Sequence, residues 1–197
     1  MYNQYLIDRY TNKHQIYPML FKDAKEATKG ITKVIDMLML GGTRFERFRT
    51  DGEYTLIEQR EELQKLLRYA TKEGANIDTF DIHMAKVAFI KLIGFGRMDD
   101  SMTEFKSGTV IIDRNGNEHN AYSYLVVDFE KAMELLQKID TVNMANNVTE
   151  DNSKDAMLEI VYLALDGRES KEDIAKYLDS EFCRKAIRTY FDLPVLN

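Results

Sequence analysis

Only two prolines occur in the chain, Pro18 and Pro194, and none lies between them. Proline removes a backbone donor and breaks helix interiors, so its absence leaves almost the whole sequence open to regular structure. Apolar periodicity shows how that freedom is used. Leu20, Ala24, Ala27, Ile31, Val34 and Leu38 recur at steps of three and four and predict an amphipathic helix that Gly41-Gly42 terminates. Leu63, Leu66, Leu67 and Ala70 predict a second helix, with Gly74 past its end. The stretch "DTFDIHMAKVAFIKLIGFG" predicts a third helix over about 78–92, apolar on most sides and therefore buried. A short central strand is its rival, because Val87, Phe89 and Ile90 favour sheet. Phe129, Ala132, Leu135 and Ile139 predict a fourth helix.

Turn chemistry supplies the β part. Asp51-Gly52 and Asn115-Gly116 are both hairpin signals. The second sits in "IIDRNGNEHN", where Asp113, Asn115 and Asn117 have the spacing that opens a calcium loop. Such a loop also needs glycine at its sixth position and glutamate at its twelfth, and Glu118 and Tyr124 stand there. A two-residue type I′ turn fits better, placing Arg114 opposite Asn117, Ile112 opposite His119 and Val110 opposite Ala121. Residues 94–108 read as a loop, and no internal repeat or low-complexity tract is evident. The expected fold is α+β: mainly helical, with one or two β-hairpins packed on helices and a C-terminal three-helix module. Its expected organisation is an α+β core over 1–139, a linker or exposed loop over 140–153, and a small helical module over 154–197.

Composition limits the function classes. Cys183 is the single cysteine, which excludes an intrachain disulfide and a thiolate zinc site and fits a reducing cytoplasm. The N-terminal stretch lacks the basic and continuous apolar regions of a secretory signal, and no apolar run is long enough to cross a bilayer. A cytoplasmic protein without a membrane partner is the expectation. The net charge of −6 is uneven. Residues 128–182 carry 14 acidic and 6 basic side chains, whereas residues 1–127 balance at 18 of each. A chain-wide basic footprint for nucleic acid is absent.

No phosphate-loop, dinucleotide, zincin or nucleophile-elbow pattern occurs, so no catalytic residue, cofactor or metal is assigned. His14, His83 and His119 show no metal-ligand spacing, and Asp81 lies only two residues from His83, which would diverge on a helix. Cys183, flanked by Arg184 and Lys185, reads as a small packing residue of its helix.

The C-terminal stretch has the strongest pattern. Ser170 can cap one short helix and Ser180 the next, and the last helix carries Arg184, Lys185 and Arg188. In outline, residues 154–192 resemble the helix-turn-helix superfamily, which implies a DNA-binding regulator with that helix in the major groove. Glu159, Asp166, Glu169, Glu172, Asp173 and Asp179 give the same region an acidic face suited to a basic groove. The leading expectation is a small non-enzymatic interaction or regulatory protein. Its expected partner is a protein, or a protein–nucleic-acid complex, with a basic surface, and self-association is left open. In texture, small, acidic and rich in asparagine and tyrosine, the chain resembles accessory and inhibitor proteins of phages and mobile elements. The alternatives are the DNA-binding regulator and a motif-poor enzyme using histidine and aspartate.

Overall fold

The apolar repeats form the helices they predict. A computed structural model describes residues 4–39, 55–72, 74–93, 104–139 and 151–193. The helices are α1 (Ala24–Met39), α2 (Leu56–Ala70), α3 (Ile82–Ile93), α4 (Phe129–Lys138), α5 (Asp151–Ala164), α6 (Lys171–Tyr177) and α7 (Ser180–Tyr190). Thr55 begins α2 with a reciprocal cap: its hydroxyl accepts from the Glu58 N–H and the Glu58 carboxylate accepts from the Thr55 N–H. The rival strand over Val87–Ile90 is not formed. Met84, Ala85, Val87, Ala88, Phe89 and Leu92 are all buried on α3, so burial on most sides suits a helix there.

The strands are β1 (Tyr5–Ile7), β2 (Lys13–Gln15), β3 (Glu104–Lys106), β4 (Thr109–Ile112) and β5 (Glu118–Ala121). One sheet has the order β2-β1-β3, with β2 antiparallel and β3 parallel to β1; β4 and β5 form a separate antiparallel pair. The fold is thus α+β and mainly helical. β3 lies within the stretch expected to be loop, because a strand of three residues leaves too little alternation to read. The Asp51-Gly52 turn lies outside the described residues, as does 140–150 of the expected linker; α5 begins at Asp151.

The chain divides into two compact units, residues 1–107 with 125–127 and residues 108–124 with 128–197. In the first, β1–β3 accompany α1, α2 and α3, and its core gathers Leu6, Ile16, Ala27, Val34, Leu66, Leu67, Phe80 and Phe89. α1 and α2 approach closely at Gly30, where a Cβ would strike the Glu62 side chain. In the second, β4 and β5 accompany α4–α7, and Phe129, Ala132, Ile160, Val161, Ile174, Phe182 and Ala186 are buried.

The two units repeat one arrangement, which corrects the expectation that no repeat exists. "IDRYTNKHQIY" (7–17) and "IDRNGNEHNAY" (112–122) share Ile, Asp, Arg, Asn, His and Tyr at the same positions. Each segment closes a hairpin, and each hairpin leads through a 3-10 turn, Phe21–Asp23 or Val126–Asp128, into α1 or α4. The long-range backbone bonds recur too. Tyr17 N–H donates to the Ala70 carbonyl and Tyr122 N–H to that of Ala164, both at 2.8 Å. Met19 N–H donates to Leu92 and Tyr124 N–H to Tyr190, both at 3.0 Å. Helices α4, α5 and α7 therefore occupy the places of α1, α2 and α3. Among the described residues the units differ in two elements: the second has α6 where the first has a 3-10 turn at Ile77–Thr79, and the first has β3.

The hairpin register departs by one residue from the expected one. Ile112 pairs with Glu118, Ile111 with His119 and Val110 with Asn120. The loop has three residues rather than two, and Gly116 alone takes positive φ (86°) within it. The cause is Asp113, whose carboxylate accepts from the N–H groups of both Asn115 and Asn117 at 2.8 and 2.9 Å and holds the wider turn. A one-residue slip exchanges the faces of a strand. It puts Ile111 inward and leaves Val110 and Ile112 about half exposed.

Candidate functional site

Each hairpin carries an aspartate that brackets its own turn. The Asp8 carboxylate accepts from Tyr10 N–H (2.9 Å), Asn12 N–H (2.8 Å) and the Asn12 side-chain amide (2.9 Å), and meets Nε2 of His14 at 3.0 Å. Asp113 repeats this with Asn115, Asn117 and Nε2 of His119, the last at 3.3 Å. Burial alone would raise the Asp8 carboxyl. Hydrogen bonds from Thr79, His14 and Asn12 outweigh it and hold the group at about 2. The same contest, won by Asn117, Asn115 and His119, holds Asp113 well below the usual carboxylate range. The Asp113 carboxylate is thus spent inside the turn, where it accepts from the backbone N–H groups of Asn115 and Asn117 and from the Asn117 side-chain amide.

The second unit extends its bracket. Nδ1 of His119 meets Glu169 at 2.8 Å, and the Tyr177 hydroxyl donates to the other oxygen of Glu169 at 3.0 Å. The His119 ring stacks on Tyr177 at 4.8 Å and is met edge-on by Phe182 at 5.2 Å. Burial, with the bond to Glu169, raises the Tyr177 hydroxyl above its ordinary range, so it donates rather than ionises. His14 has Phe80 edge-on at 4.7 Å in the first unit. Sequence reasoning assigned neither histidine a partner, although the repeated Asp-Arg-x-x-Asn-x-His pattern carried that signal.

A second pair of equivalent aspartates caps α3 and α7. Met84 N–H donates to Asp81 at 2.9 Å and Phe182 N–H donates to Asp179 at 2.8 Å. Asp81 is fully buried and also accepts from the Ser107 hydroxyl; burial raises its carboxyl despite that bond and the cap. Asp81 precedes α3 rather than sharing it with His83, which is half-buried on the helix.

The other candidate residues are placed as follows. Glu159 pairs with Lys171 and, at 3.4 Å, with Lys131 beside a groove of about 590 Å³ between α4 and α5. Asp166 lies 3.4 Å from Arg168, Glu169 holds His119 and Tyr177, and Asp173 pairs with Lys176 at 2.6 Å and Ser170 at 2.8 Å. Asp179 caps α7, and Glu172 is exposed on α6. Much of the acidic set is therefore engaged inside the unit. On α7, Arg184 and Lys185 are exposed and Arg188 is half-buried, with Lys185 bound to Glu181 at 2.8 Å. Cys183 is half-buried there; burial and Asp179 push its thiol up to about 11, so it is protonated at neutral pH. Among the described residues no cluster of three or more histidine, cysteine or acidic side chains is arranged to hold a metal. No helix among them is long and apolar enough to cross a membrane.

No protein-family model matches the chain, and neither does any curated protein or solved structure.

Proposed function

We propose that the chain is a small non-enzymatic interaction protein of the cytoplasm that acts by occupying a macromolecular partner with a basic surface. The observation that carries this reading is the fate of the groups best able to do chemistry. His14, His119, Asp8, Asp81, Asp113 and Asp179 close turns and cap helices, and they do so at equivalent places in both units. A pattern repeated for the sake of two turns supports a scaffold whose work is done by its surface. That surface carries exposed acid on the second unit, with Glu134, Asp155 and Glu172 on α4, α5 and α6.

The test is capture of a basic host protein by the full chain, repeated at raised salt and with Glu134→Gln, Asp155→Asn and Glu172→Gln combined. The reading predicts capture that salt weakens and the triple variant loses. Capture indifferent to both would reject the acidic surface as its basis. The exposed Arg184 and Lys185 favour a second reading, binding of duplex DNA along α7. A mobility shift at low salt that Arg184→Ala with Arg188→Ala removes would establish it, and no shift at low salt would end it.

A further inference from the structure

The repeated units differ at one sheet edge. In the first, β1 has partners on both sides, and parallel β3 sets Leu6 opposite Phe105 and Ile7 opposite Lys106. Ser107, the next residue, closes that edge twice. Its N–H donates to the Ile7 carbonyl at 2.9 Å, and its hydroxyl donates to the buried Asp81 carboxylate.

In the second unit β4 stands in the place of β1, Ile112 in that of Ile7 and Asp179 in that of Asp81, and α7 packs on β4. Among the described residues no strand pairs with the far edge of β4. In an antiparallel ladder the backbone groups of alternate residues turn away from the partner. Asp113 N–H donates to Asn117, as Asp8 N–H donates to Asn12, so the two hairpins are in phase. The N–H and C=O of Val110 and Ile112 therefore point away from β5, just as the Ile7 carbonyl points toward β3. The two residues are 53% and 54% exposed. Asp179 is only partly buried, and among the described residues only its Oδ1 accepts a hydrogen bond.

We propose that this edge of β4 is a docking site for an extended segment of a partner protein, which adds as a strand parallel to β4 and ends on a serine or threonine held by Asp179. The occupant is read from β3, a strand already seated on the equivalent edge one unit earlier. The register gives its chemistry. The position opposite Ile111 takes an apolar side chain, because Ile111 lies on the buried face. Two residues further, the hydroxy residue donates its N–H to the Ile112 carbonyl and its hydroxyl to Asp179. Main-chain bonds supply the affinity of such strand addition, and the two side-chain positions supply the selectivity. The site rests on the chain being an interaction protein but not on its acidic surface, so the salt and neutralisation tests above fail independently of this one.

The probe is a capped peptide of sequence TEFKSG, this chain's own β3 segment, titrated into the full isotope-labelled protein. The expected result is saturable binding with amide shifts at Val110, Ile111 and Ile112. Replacing the peptide serine with alanine weakens binding about tenfold, the loss of one charge-assisted hydrogen bond. Asp179→Asn, which keeps a capping side chain on α7, weakens it similarly, and Val110→Pro, tolerated on an edge strand, abolishes it. Absence of saturable binding at millimolar peptide would overturn the proposal. So would shifts confined to Tyr5–Ile7, or a concentration-dependent dimer that excludes the peptide and makes a second copy the occupant.

Discussion

His119 meets the carboxylate of Asp113 across its own hairpin, and His14 meets Asp8 in the same way in the other unit. The pair is therefore a property of the repeated unit, and its first consequence is mechanical. Asp8 accepts from two backbone N–H groups, an amide and an imidazole. Removing it orphans these donors, and loses the bond from Thr79 as well, in a part-buried turn. Asp8→Ala is expected to cost about 2–3 kcal/mol in chemical denaturation, in the range for breaking a hydrogen-bond network. Asp113→Ala shifts the unfolding midpoint in the same direction.

The same carboxylates set an acid limit. Folding depresses the Asp8 and Asp113 carboxyls below their unfolded values. Their contribution is complete above the unfolded carboxylate range near 4 and is lost as pH falls toward 2. Asp81 has the opposite sign, since burial raises its carboxyl and its contribution is lost as pH rises through the folded value. The destabilisation by Asp81→Asn should therefore shrink between pH 4 and pH 7, measured by denaturant midpoints. A cost that grows with pH would contradict this assignment.

The turn geometry distinguishes two equivalent positions. Thr11 and Gly116 both take positive φ, 67° and 86°, a region in which a β-branched residue is strained. Thr11→Gly is expected to stabilise the chain by about 0.5–1 kcal/mol, and Gly116→Ala to destabilise it by about 1–2 kcal/mol. Asn115→Ala should be tolerated much better than Gly116→Ala, because Asn115 keeps negative φ in the three-residue loop. Similar costs at both positions would restore the two-residue turn.

Tyr177 tests the extension of the second bracket. Tyr177→Phe keeps the stacking on His119 but leaves Glu169 one donor short, for an expected loss of about 1 kcal/mol. In an absorbance titration of the native protein, the variant should lose a phenol that titrates above the ordinary tyrosine range. An unchanged high-pH phase would place that hydroxyl elsewhere.

The helices were legible because burial of one stripe imposes a period that survives in the residues themselves: Leu63, Leu66, Leu67 and Ala70 are all buried on α2. The Asn115-Gly116 hairpin was legible as a turn but not in its register. Asn-Gly favours two residues, and the competing side-chain acceptor at Asp113 wins. The short strands β1, β2 and β3 left no alternation to read. The repeat was written in the sequence, but only in an eleven-residue signature separated by helices that diverged freely, Gly30 of α1 against Leu135 of α4 for example. The bracket around His119 needed Glu169 and Tyr177, which α6 and the turn before it bring from fifty residues away.

Two copies of one unit, of which only the first has a strand on the second edge of its hairpin among the described residues, are tested most directly by hydrogen exchange at two equivalent amides of the intact chain. Ile7 lies between β2 and β3, whereas Ile112 has β5 on one side and, among the described residues, no strand on the other. The account predicts slow exchange at the Ile7 amide and fast exchange at the Ile112 amide, with Ile111 and Thr109 protected by β5. Equal protection at Ile7 and Ile112 in the protein alone would contradict it.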